Sequence, residues 1–278
     1  MIPAFRRPQE RLLLLRSFMA MLAFSVGFVI IGDNFPNRRL RAQNGGDPTA
    51  QFQRAAASLS AARLGGGDES QAQMEKALDY LDSLAIPALN LAMNPDLDGA
   101  NRRLAQLVSH QSPVGEYYRL LRLGGTPAVY ALVANFGLGG PAAIRIYGGM
   151  SGHYALAAQI DHFVQKDFLD SDVELVPVSS ADIVFVTISG RTDDLSTGAF
   201  TAWQFNGRGV VALWNSDLLQ QSSYEVEGSA FRIAYCSQVD DDRPSQCLKM
   251  SRDLYGFNDG QWKRVETAEL RSLDPAAK

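Results

Sequence analysis

Between Glu116 and Leu270 the chain writes one four-strand phrase three times, and this repetition constrains its fold more than any other feature. The third copy reads YEVEG, FRIAYC, CLKMSRDLYGF and QWKRVETA. The second reads VELVPV, IVFVTISG, GAFTAWQF and GVVALWN. The first, weaker, reads YYRLLRLGG, AVYALVANFG, AAIRIYG and HYALAAQI. Every run is rich in β-branched and aromatic residues and is bounded by turn residues, the pattern of a pleated, half-buried strand. Asn206-Gly207 and Asn258-Asp259-Gly260 separate the last two strands of two copies, and Gly148-Gly149 stands at that place in the first. Such residues supply the positive φ of tight hairpins. Tyr147, Phe205 and Phe257 precede these turns.

The period of roughly 50 to 60 residues falls in the range of four-stranded propeller blades. The expected class is therefore mainly β with an N-terminal helical segment, α+β as a whole. It is built of antiparallel four-strand meanders that are propeller-blade-like, with a β-sandwich or barrel as the alternative. Three blades fall short of the four to eight that usually close a ring. Stacked sheets, or a ring completed by another chain, stay open. An ordinary meander with shared turn chemistry is the plainer reading of the same signals.

The expected organisation is a signal or anchor segment over 1–43 and a helical segment over 44–115. A β domain follows over 116–270, with copies at 116–172, 173–222 and 223–270, and then a tail over 271–278. Arg6, Arg7, Arg11 and Arg16 precede an apolar run from Ser17 to Gly32, the order of an export or insertion signal. With the leucines before it, the run reaches the length of about 20 residues that a membrane span needs. The balance favours an uncleaved single anchor in the cell membrane with the rest exported. Cleavage after Ala42, giving a periplasmic or secreted protein, is the alternative.

The Ala-rich stretch from Ala50 to Leu64 reads as a helix, and a second opens at Asp68 with Gln71 three residues on, a capping-box signature. Met74, Leu78, Leu81 and Leu84 share one face of it. Asn94-Pro95 is expected to start a third helix that buries Leu97, Leu104 and Leu107. Short amphipathic helices cannot bury such stripes alone, so they are expected to pair and dock on the sheets.

Cys236 and Cys247 are the only cysteines, and they flank one hairpin loop, where antiparallel pairing brings residues within disulfide reach. Closing that loop contributes about 3 kcal/mol in the chain-entropy description. His153 and His162 sit at opposite ends of one expected strand and cannot meet on one ion; His110 is remote from both in sequence. GMSGH at Gly149 to His153 falls short of a nucleophile elbow, because it joins two strands and ends in histidine instead of glycine. No glycine-rich phosphate loop precedes a helix. With 20% charged residues and a net charge of −4, the chain carries no basic signature for nucleic acid.

A meander sends its loops to two ends. One end collects Arg191, Asp193, Asp194, Asp240, Asp241 and Asp242, together with Asp161, Asp170, Asp172 and Asp217. The other has only tight turns. Long polar loops on a rigid scaffold are where binding concentrates. Solvated surface charge is the plain reading of these aspartates. Asp193, Asp194, Asp240, Asp241 and Asp242 are also the candidates for a hard cation, although none has EF-hand spacing.

The leading functional expectation is a non-enzymatic binding or structural module of the cell envelope. It would engage an unknown protein or polysaccharide through the acidic end, without a cofactor. The alternatives are an envelope hydrolase using His153 or His162 with an aspartate from Asp161 to Asp172, and an accessory subunit docking through an exposed Leu78, Leu81 and Leu84 stripe.

Overall fold

The computed structural model describes residues 47–61, 68–91, 94–108, 112, 114–137, 140–150, 152–162, 171–191, 197–240 and 246–270. Three helices come first: α1 (Pro48–Ala61), α2 (Asp68–Asn90) and α3 (Leu97–Ala105). Twelve strands follow. β1 (Glu116–Gly124), β2 (Val129–Phe136), β3 (Ala142–Met150) and β4 (His153–His162) form the first sheet. β5 (Ser171–Ser179), β6 (Val184–Arg191), β7 (Gly198–Phe205) and β8 (Val210–Asn215) form the second. β9 (Gln220–Glu227), β10 (Ala230–Val239), β11 (Cys247–Asn258) and β12 (Gln261–Leu270) form the third. Each sheet is an antiparallel meander in sequence order, and none closes into a barrel.

Apolar packing orders these elements into layers. Phe52, Leu59, Met74, Leu78, Leu81 and Leu104 of the helices pack on Tyr118, Leu120, Leu132, Phe136 and Tyr147 of the first sheet. The opposite face of that sheet, with Val133, Ile144 and Ile146, meets Phe185, Trp203 and Phe205 of the second. The far side of the second sheet, with Val186, Ile188 and Phe200, meets Phe231, Ile233, Tyr255 and Trp262 of the third. The sequence shows the consequence. Every residue of β2 is buried, as is Val184 to Ile188 of β6, because both faces of those sheets are covered. In β10 buried Phe231 and Ile233 alternate with half-buried Arg232 and Ala234, the signature of one covered face.

The helical stripes docked as expected. Met74, Leu78 and Leu81 are fully buried, each worth about 1.5–3 kcal/mol of burial. With Leu84 half-buried beside them, they form no exposed stripe of the kind expected for docking on a larger machine. The third helix starts later than Asn94-Pro95 suggests. Its cap is Asp96, whose Oδ1 accepts from Gly99 N at 2.8 Å. Asp259 and Gly260, at φ of 52° and 72°, make the tight β11–β12 turn. The β7–β8 connection is broader, with Asn206 Oδ1 accepting from both Arg208 N and Gly209 N at 3.0 Å.

One expectation is corrected. Among the described residues no helix is long and apolar enough to cross a membrane, so a cell-membrane location by a single N-terminal anchor has no support in the structure. The Ser17–Gly32 run and the Ala42 site lie outside the described residues.

Candidate functional site

The expected acidic end is described only in part. Asp193, Asp194, Asp241, Asp242, Asp170 and His110 lie outside the described residues, as do the side chains of Asp172, Arg191 and His162. Asp240 ends the β10 side of its loop, and its N–H donates to Gln246 O at 2.9 Å. The neck of this loop is also pinned by the disulfide Cys236–Cys247, with Cα atoms 5.7 Å apart, as the spacing predicted. Asp217 is exposed between β8 and β9. Among the described residues no group of three or more His, Cys, Asp or Glu could hold a metal ion.

Asp161 stays at this end of the ladder but does not join its loops. It lies opposite Ala143, which packs under the helices, so its side chain turns towards the helical layer. There it joins a network that the sequence reading missed. Arg145 of β3 donates through Nε to Asp82 Oδ1 of α2 at 3.1 Å and forms an ion pair with Asp82 Oδ2. Tyr147 donates its hydroxyl to the same Oδ1 at 2.7 Å. Arg145 also donates to Gln159, directly across the β3–β4 ladder, and Gln159 donates to Asp161. Burial works against the Arg145 charge, but the Asp82 carboxylate outweighs it and raises its pKa. Burial, and then the Asp82 charge, hold the Tyr147 hydroxyl protonated well beyond its ordinary range. Burial also raises the Asp161 carboxyl, against the lowering effect of the Gln159 hydrogen bond.

A second carboxylate is enclosed between the second and third sheets. Asp253 of β11 is 2% exposed. It accepts from Thr267 Oγ1 at 2.8 Å, Tyr235 OH at 3.2 Å, Tyr255 OH at 3.4 Å and Arg264 Nη1 at 3.4 Å. Burial, followed by the charge of Asp253, pushes the Tyr255 hydroxyl up to about 12. Donors surround both carboxylates: Asp82 ties the helical layer to the first sheet, and Asp253 ties together three strands of the third. The signal for both was in the sequence. Arg145 shares a face with Ala143 and Tyr147, and Asp253 shares one with Tyr255 and Phe257, so period-two alternation places each charge inward.

An open cleft lies at the tight-turn end, away from the loops that the sequence singles out. It measures about 750 Å³ and is lined by Arg122, Gly124, Gly125, Thr126, Ser180 and Ala181, among others. Gly124 has φ 142°, and a Cβ there would stand 2.2 Å from Ser180 O, so glycine is required where these turns meet. Gly125 N donates to Ser180 O at 2.8 Å and ties the first two sheets at this end. Arg122 is the one ionisable side chain in the described lining. His153 is exposed at the start of β4, and His162 is at its far end, so the two do not converge. The GMSGH stretch does join two strands, β3 and β4. No protein-family model, characterised protein or solved structure matches the chain.

Proposed function

We propose that the protein is a non-enzymatic binding module whose three sheets form an open, propeller-blade-like stack and whose acidic loop end engages a partner. The observation that carries this reading is the polarity of the connections. Residues 125–128, 151–152, 180–183, 206–209, 228–229 and 259–260 join strands at one end by short turns. From the other end leave 137–141 and 216–219, which are short, and the longer stretches 163–170, 192–197 and 240–246, with Asp193, Asp194, Asp240, Asp241 and Asp242 among the longer ones. Loops of that kind on a rigid scaffold are suited to recognition. The enclosure of Asp82 and Asp253 by internal donors supports a structural use of the buried charges. The partner chemistry that fits is a basic protein surface or a hydroxyl-rich polysaccharide, both of which aspartates can bind.

The test places a photo-crosslinking residue at Asp240 or Asp217, and separately at Arg208 or Asp259 on the turn end, in the native host. Adducts from the first pair, lost when Asp240, Asp241 and Asp242 are all changed to lysine, are the expected result. Adducts only from the turn end would overturn the reading. So would a hydrolase activity of the purified protein that disappears in His153→Ala.

A further inference from the structure

Asn90 and Asn101 belong to different helices and act alike at opposite edges of the first sheet. Asn101 Nδ2 of α3 donates to Leu120 O of β1 at 2.8 Å, and Leu120 N donates to Asn101 Oδ1 at 2.7 Å. Asn90 Nδ2, at the end of α2, donates to Tyr154 O of β4 at 3.0 Å, and Tyr154 N donates to Asn90 Oδ1 at 2.7 Å. β1 and β4 are the two outer strands of their sheet. Leu120 and Tyr154 therefore point one N–H and one C=O away from the ladder, as non-hydrogen-bonded ladder positions do. A side-chain carboxamide presents a donor and an acceptor side by side, as a strand would. Each asparagine thus supplies one rung of a missing neighbour.

An edge with such groups free is a template for another strand. β1 and β4 run antiparallel to each other, so β4 of one copy could lie beside β1 of the next in the ladder's own sense. That contact is head-to-tail, the geometry that builds rings or open fibres. We propose that Asn90 and Asn101 are edge guards: they fasten the helical layer across both edges and bar addition of a strand from a second copy of this chain. The third sheet solves the same problem by other means. Its outer strand β12 carries Lys263, Arg264, Glu266 and Glu269 and a bulge between Arg264 and Glu266, both of which discourage pairing.

The test compares the full chain with its N90A/N101A and N101A variants by sedimentation over a range of concentrations, with circular dichroism to verify the fold. The wild type is expected to stay monomeric, and the folded double variant to at least about double its average mass. A labelled peptide of the β4 sequence, HYALAAQIDH, gives an independent reading. It is expected to bind N101A about tenfold more tightly than the wild type. A folded double variant that stays monomeric would overturn the proposal. Equal peptide binding to N101A and wild type, or equal self-association of wild type and variant, would do so as well.

Discussion

The first and third sheets share one topology and live under opposite conditions. The first is covered by helices on one face and the second sheet on the other, and side-chain amides close both of its edges. The third is covered on one face only. Register puts Glu225, Glu227, Arg232, Arg252, Lys263 and Glu266 on its open face, interleaved with Ala230, Ala234 and Leu254. Neighbours shield the first sheet, whereas the third shields itself with charge. A stack of repeats needs a polar face where it stops. The helical layer ends this stack at one side, and the charged face of the third sheet ends it at the other.

The contrast can be broken by paired substitutions, beginning with the largest expected effect. Asp82→Ala strands Arg145 in the helix–sheet layer, and loss of one partner from a buried pair should cost about 3–5 kcal/mol by urea unfolding. On the third sheet the exposed pair Lys249–Glu269 should matter far less, with Lys249→Ala costing below about 1 kcal/mol. Leu132→Ala, fully buried in β2, should cost about 2–5 kcal/mol, and Leu254→Ala, half-buried on the open face, about 1 kcal/mol. Replacing Cys236 and Cys247 together by alanine should cost about 3 kcal/mol, since the disulfide pins a sheet with one bare face.

The smallest effect has a pH signature. The folded Asp161 carboxyl lies above its ordinary range, so its contribution to stability is present in acid and is lost as pH rises through that folded value. Asp161→Asn should therefore be slightly more stable than wild type near neutrality, by less than about 1 kcal/mol, and the gap should close on acidification. Melting curves across that pH range measure both.

Strand composition made the three meanders legible, and Cys236 and Cys247 announced their disulfide through their places around one loop. The layering was less accessible, because β-strand alternation says that a face is buried but not by what. β2, apolar but for Asn135, could be read as covered on both faces, yet its two covers come from segments far apart in sequence. Asn90 and Asn101 are invisible as clamps for the same reason, since each looks like an ordinary helix residue until Tyr154 and Leu120 arrive. Arg145 and Asp253 were within reach, because alternation alone points them inward. Asp161 was read as a loop acid because its place at a strand end outweighed its parity, which turns it under the helices. Asp96 outcompeted Pro95 as the helix start because a carboxylate can accept from Gly99 N, whereas proline only tolerates the first turn.

Amide hydrogen exchange tests the central contrast most directly. Leu120 and Tyr154 sit on outer strands, where an unguarded N–H should exchange readily. Guarded by Asn101 and Asn90, these two amides are expected to exchange as slowly as the centre of β2, at least about tenfold more slowly than the outward-facing amides of β12. If Leu120 and Tyr154 instead exchange as fast as β12, the helical layer does not close the first sheet, and the distinction between the two ends of the stack fails.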